Sequence, residues 1–188
     1  MKRSTFRLIV TIVVTAAIVV ILCYIFTGVL FNIKVVSGSS MEPYLYNGER
    51  VIVDIKVYEK EEVSRYDVIV FDYRYLKDTY YIKRVIGLPG ETIQIVDGKI
   101  FVNYEELPDV MEYGYIEDPG IAIEPIVLGE DEYFVLGDNI AVSEDSRSKY
   151  VASVAQSEII GKVIYRWWPL ERMGRLEEYN ENGENSTD

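Results

Sequence analysis

The chain has 188 residues, 49% of them hydrophobic and 27% charged, enough for one ordinary domain with an appendage. Its net charge is −12, and a surface that acidic repels phosphate backbones and anionic headgroups, which argues against a nucleic-acid role. There is no His and a single Cys, Cys23, which removes Ser-His-Asp and Cys-His mechanisms, an intrachain disulfide and the usual zinc sites together.

Residues 1–7 hold Lys2, Arg3 and Arg7, and no acid precedes Glu42. From Leu8 to Ile33 no residue is charged. As a helix, about 24 such residues rise roughly 36 Å, enough to cross a hydrocarbon core of about 30 Å with some tilt. A cleaved signal peptide has an apolar core of only about 7–15 residues. A lipoprotein signal needs a small residue before the modified Cys, and Leu22 stands there. An uncleaved anchor over 8–31 is therefore expected. The basic flank places residues 1–7 in the cytoplasm and everything after residue ~34 outside.

Beyond the anchor the patterns read as β, over an extracytoplasmic region at 34–170. ERVIVDIKV (49–57) alternates, DVIVF (67–71) is a short apolar run, and TYYIKRVIG (79–87) is a further strand. TIQIV-DG-KIFVN is the clearest hairpin signal, because Asp97-Gly98 can take the positive φ angles of a tight turn. EYFVLG (132–137) and IIGKVIYRWW (159–168) complete the set. No 3.6-residue periodicity is sustained after the anchor, so a mostly β, antiparallel sheet or barrel-like domain is expected. Residues 103–130, with Pro108, Pro119 and Pro125, read as a loop or small excursion, and 171–188 as a polar, disordered tail.

Three segments could carry chemistry. In SGSSMEPYL (37–45), Gly38 lets the backbone bend, Pro43 stiffens the exit, and Met41 and Leu45 can face an apolar pocket around Ser40. Without His, only a Lys with a depressed pKa could deprotonate such a Ser. Burial disfavours the charged ammonium, and a fall from about 10.4 to 7 costs roughly 4.6 kcal/mol. Lys83 is the candidate: in YYIKRVIG it shares a strand face with Tyr81 and Val85, while Ile82, Arg84 and Ile86 point the other way. The ordinary role of such a Lys is an exposed sheet position. LGDNIAVSEDSRS (136–148) suits a polar network; its default is an acidic surface loop, and its spacing does not fit an EF-hand.

Together, in this order and after one anchor, these segments resemble type I signal peptidases, most nearly the small Gram-positive form. SGSSMEPYL looks like the family's nucleophile box, with its Ser-Met-x-Pro core. RYDVIVF (65–71) looks like the Arg-Gly-Asp-Val-x-x-Phe box, with Tyr66 in place of Gly. YIKRVIGLPGE (81–91) matches the lysine box, and GDN…SEDSR (137–147) the last box. The resemblance implies a membrane-bound serine endopeptidase that removes signal peptides from exported preproteins, cutting after small, A-x-A-like residues. It implies Ser40 as nucleophile, Lys83 as general base, Ser143 as the serine that orients the lysine, and Asp145 and Arg147 as a structural ion pair. Val36, Met41, Leu45, Tyr81 and Ile82 would line the substrate pockets. It implies no metal or cofactor, and as partners the preproteins and the lipid around one helix.

Two departures stand out. Some members place a hydroxyl-bearing Ser where this chain has Gly38, so the oxyanion hole would rest on the Ser40 backbone N–H. Ile140, Ala141 and Val142 replace the usual Arg-Asp-Asn. Two rival readings are a self-cleaving Ser-Lys protease of the SOS-repressor type, which lacks an anchor and carries a DNA-binding module, and a tethered β-domain without catalysis.

Overall fold

The computed structural model describes residues 3–176 and Tyr179, without the side chains of 1–6 and 24–31. The chain divides into two compact units, 1–32 and 33–188. In the first, α1 runs Arg3–Leu30, and Phe31 already opens a strand instead of ending the helix. Thr11 and Thr15 return their hydroxyls to the carbonyls of Arg7 and Thr11, so these polar groups are satisfied within the helix. The side chains described within α1 stop at 7 and 23, and among the described residues no helix is long and apolar enough to cross a membrane.

The second unit is mostly antiparallel β. The strands of the chain are β1 (Phe31–Val35), β2 (Arg50–Asp54), β3 (Val68–Asp72), β4 (Tyr80–Gly87), β5 (Thr92–Val96) and β6 (Lys99–Val102). They continue with β7 (Glu105–Glu106), β8 (Ile126–Val127), β9 (Glu132–Leu136), β10 (Val154–Ala155), β11 (Ile159–Trp168) and β12 (Gly174–Arg175). The larger sheet has the order β1-β2-β11-β3-β4-β9-β10, with β12 also on β11; the smaller is β7-β6-β5-β8. Each alternating run in the sequence became a strand. Asp97 (φ 48°) and Gly98 (φ 74°) make the tight turn between β5 and β6, and Asn103 (φ 51°) and Tyr104 (φ 69°) repeat the device before β7.

Alternation sends each strand's side chains into different apolar clusters. On β4, Tyr81 and Val85 pack with Ile69 and Phe71, whereas Ile82 joins Val36, Met41, Leu45 and Val70. Ile86 joins Ile93, Ile95, Ile100 and Phe134, the core shared with the smaller sheet. The strand carrying Lys83 is therefore gripped on both faces.

Two expected loops are more ordered than their composition suggested. Residues 103–130 include β7, β8 and a 3₁₀ turn at Gly120–Ile123 that buries Ala122. At the C-terminal end, Leu170–Arg172 form a 3₁₀ turn, β12 pairs with Tyr165 and Arg166 of β11, and Leu176 is buried in the Val36 cluster. The polar residues that suggested a tail from 171 are held by main-chain pairing, which composition does not report. Of that tail, 177–178 and 180–188 lie outside the described residues.

Candidate active site

Directly after β1 the chain is pinned to the start of β2: Val36 N–H donates to Glu49 O, and Gly48 N–H to Val36 O. Gly38 then bends at φ 91°, a left-handed conformation that favours glycine, and its N–H donates to Asn47 Oδ1. Leu45 N–H closes a turn onto Met41 O. Met41 and Leu45 are 1% and 0% exposed, so two buried anchors fix the segment that presents Ser40.

Lys83 reaches Ser40 from β4. Its Nζ donates to Ser40 Oγ at 2.7 Å. The lysine is 4% exposed, and burial lowers its pKa from 10.5 to about 8, against the upward pull of Asp145, Asp138 and Glu144. A buried, weakly basic amine thus sits on a serine hydroxyl at the wall of a cleft of about 520 Å³. Val36, Met41, Tyr81 and Ile82 line that cleft. Leu45 does not: the turn rotates it into the core behind Met41, correcting its expected place in the pocket.

The third wall is the 137–148 loop. Asn139 N–H donates to Ser40 O, so the loop is tied to the backbone of the serine. Asp145 and Arg147 form a two-pronged ion pair, Nε to Oδ1 at 2.9 Å and Nη2 to Oδ2 at 3.0 Å, with the carboxylate fully buried. Asp145 also accepts from Gly137 N–H, while Arg147 Nη2 donates to the carbonyls of Ile140 and Ser143. Ser143 departs from its expected contact. Among the described residues its buried hydroxyl has no hydrogen-bond partner, Lys83 included; it lies against Gly137, beside the Ser40 carbonyl.

A family model described as signal peptidase, peptidase S26, matches residues 6–168. The chain belongs to this signal peptidase family. It is a type I signal peptidase, a serine endopeptidase. This signal peptidase is 34% identical over 163 residues to signal peptidase I P of Bacillus subtilis subsp. natto, covering 83% of this chain and 87% of the relative. It is 32% identical over 155 residues to the probable signal peptidase I-2 of Synechocystis sp., covering 76% of this chain but only 66% of that relative's length. The crystal structure of a signal peptidase I from Enterococcus faecalis V583 overlaps with a TM-score of 0.43 at 27% identity, over 55% of this chain and 97% of that one.

Sequence reasoning gave no role to several groups that build the signal peptidase site. Gly137 is flat against both Ser40 O and Ser143, and a Cβ there would overlap them. Arg84, 1% exposed, forms a two-pronged pair with Asp138 at 2.6 and 2.8 Å, and Tyr44 stacks 4.4 Å from the guanidinium. Tyr81, expected only as a pocket wall, also donates its Oη to Glu144 at 3.3 Å, linking β4 to the loop. The signal for these was available: Arg84 follows Lys83 on the opposite strand face, and Gly-Asp-Asn is a compact loop opening. Among the described residues no group of His, Cys, Asp or Glu could hold a metal ion.

Proposed function

We propose that this signal peptidase removes N-terminal signal peptides from exported preproteins, cutting after small residues with Ser40 as nucleophile and Lys83 as general base. The observation that supports the dyad is the 2.7 Å contact between buried Lys83 and Ser40 at the cleft wall. The neutral amine takes the Ser40 proton as the hydroxyl oxygen attacks the scissile carbonyl. Gly38 offers no side-chain donor, so the Ser40 N–H receives the oxyanion. The Lys83 ammonium then protonates the leaving amine, and the neutral lysine activates a water that hydrolyses the ester.

The substrate binds extended. β4 pairs with β9 only from Arg84 onward, so on that side the main chain of Tyr80–Ile82 is open to the cleft. A signal-peptide segment lies between this edge and residues 34–38, held by main-chain hydrogen bonds. Val36, Met41 and Ile82 then meet the side chains at −1 and −3. A formed pocket rejects bulk at a cost of about 1–3 kcal/mol. Purified full-length protein is expected to cleave a precursor with Ala at −1 and to cut the Phe variant at least about tenfold more slowly, as about 1.4 kcal/mol implies. Equal rates for the two precursors would remove the pocket assignment and with it the proposed specificity.

The apolar N-terminal segment anchors the enzyme, with the basic residues inside and the β unit outside the cell membrane. Protease added to intact spheroplasts is then expected to digest residues beyond ~34, an orientation set by the basic flank. Complete protection of the β unit in sealed cells, lost on lysis, would reverse it.

A further inference from the structure

We propose that Glu144 is a specificity-determining residue, which meets the substrate side chain at −2 and selects a cationic residue there over an acidic one. This rests on the extended binding mode proposed above and on the alternation of β4. Ile82 turns toward Val36 and Met41, whereas Tyr81 and Lys83 share the other face, with Lys83 Nζ 5.3 Å from the centre of the Tyr81 ring. A polypeptide laid along Tyr80–Ile82 continues the pleat, so paired side chains stand on the same face. With −1 and −3 on the Ile82 face, −2 stands on the Tyr81 face. There Tyr81 Oη donates to Glu144 Oε2 at 3.3 Å, and both residues line the cleft of about 520 Å³ that holds Ser40 and Lys83.

Charge makes Glu144 the discriminating group. The other loop carboxylates near Lys83 are neutralised, Asp138 by Arg84 and Asp145 by Arg147. Glu144 is exposed, and among the described residues it accepts only from Tyr81 and pairs with no Lys or Arg. Burial, then the Glu144 charge, push the Tyr81 phenol up to about 12, so it keeps its proton and remains the donor. One oxygen of the carboxylate is thus held by the phenol, and the other is left to accept from a ligand. Burial dominates the Lys83 pKa, yet Glu144 is among the charges that pull it back up, so its field reaches the reacting groups. Lys83 itself is bound to Ser40, and the remaining charged side chain of the cleft is Asp78. Asp78 precedes β4, further from Lys83 along the strand, where residues beyond −3 pass. A Lys or Arg at −2 therefore gains an ion pair with Glu144, and an Asp or Glu there meets like charge.

The test uses purified full-length protein and precursors with Ala at −1 and −3 and Lys, Gln or Glu at −2. At low salt kcat/KM should fall in the order Lys, Gln, Glu, with about 3–10-fold between the ends, the size of one exposed attraction and one exposed repulsion combined. Glu144→Gln should bring the Lys-to-Glu ratio to unity, and Glu144→Lys should invert it. Ratios are taken within each enzyme, so a loss common to all three precursors cancels. Salt at about 1 M, where charges are screened within about 3 Å, should flatten the wild-type ratio. Should Glu144→Lys not fold, Glu144→Gln and the salt series decide. No cleavage of any precursor by wild type would remove the proposed function and this specificity with it. Cleavage with equal rates for Lys and Glu, or a ratio that survives in Glu144→Gln, would overturn the role of Glu144 alone. The second of these results would move the preference to Asp78.

Discussion

Replacing Lys83 with Met is expected to bring preprotein cleavage to background at every pH while making the protein more stable. The catalytic half follows from the proposed dyad: without a base the Ser40 hydroxyl keeps its proton, and Ser40→Ala should give the same loss. Lys83→Arg separates base from charge, since guanidinium does not give up its proton at usable pH. Substantial cleavage by a folded Arg variant would refute the base assignment. In wild type the rate should climb with pH through about 8, where burial has brought the lysine. The stability half follows from the same burial. The folded-state pKa lies below 10.5, so between about 8 and 10.5 the unfolded chain holds more protons and wild-type stability rises with pH. Below about 8 the native state carries the full cost of the buried ammonium, on the order of 3 kcal/mol. The advantage of Lys83→Met should therefore be largest below pH ~8 and fade toward ~10.5. Denaturant unfolding at several pH values reads it directly, and a Met variant less stable than wild type at neutral pH would contradict the account.

Gly137→Ala is expected to lower kcat by about 100-fold, the penalty for moving a reacting group by about 1 Å. The backbone at Gly137 is one any residue can adopt, so the effect is purely one of contact. A methyl group would overlap the Ser40 carbonyl and the Ser143 hydroxyl. One of these is main chain and cannot rotate away, so Ser40 itself must shift off Lys83. Overpacking of this kind also costs stability, about 1–3 kcal/mol. Steady-state kinetics and thermal unfolding of the one variant measure both. Unchanged kcat with intact folding would show that the close approach is not needed.

What could be read from the sequence was whatever one strand decides alone. The local patterns placed strands within 49–57, 79–87 and 159–168 and assigned Lys83 and Arg84 to opposite faces of one of them. They could not say that both faces are covered. The near-complete burial of Lys83 depends on the 137–148 loop and on the Ser40 turn, and both are distant in sequence. Leu45 was misplaced for a related reason: the Met41–Leu45 turn, not strand alternation, sets its direction. Ser143 kept its motif spacing yet faces Gly137, because the ion pair of Asp145 and Arg147 fixes the main chain around it. Two-residue strands such as β10 and β12 have no alternation to read. Their existence is a property of the neighbour they pair with.

Arg147 gathers its loop through the carbonyl oxygens of Ile140 and Ser143 and the Asp145 carboxylate, and ties it to the carbonyl of Asp118 in the 103–130 segment. None of these bonds uses a side chain from positions 140–142. The shape of the lip is therefore written largely in peptide groups, which every amino acid supplies alike; Ile140 packs against the core, and the exposed residues Ala141 and Val142 are the ones free to vary. Val142, 60% exposed at the cleft, is one such displayed residue. A lineage can redraw what an incoming polypeptide meets at this rim, from charged to oily, without relocating Ser40 beneath it.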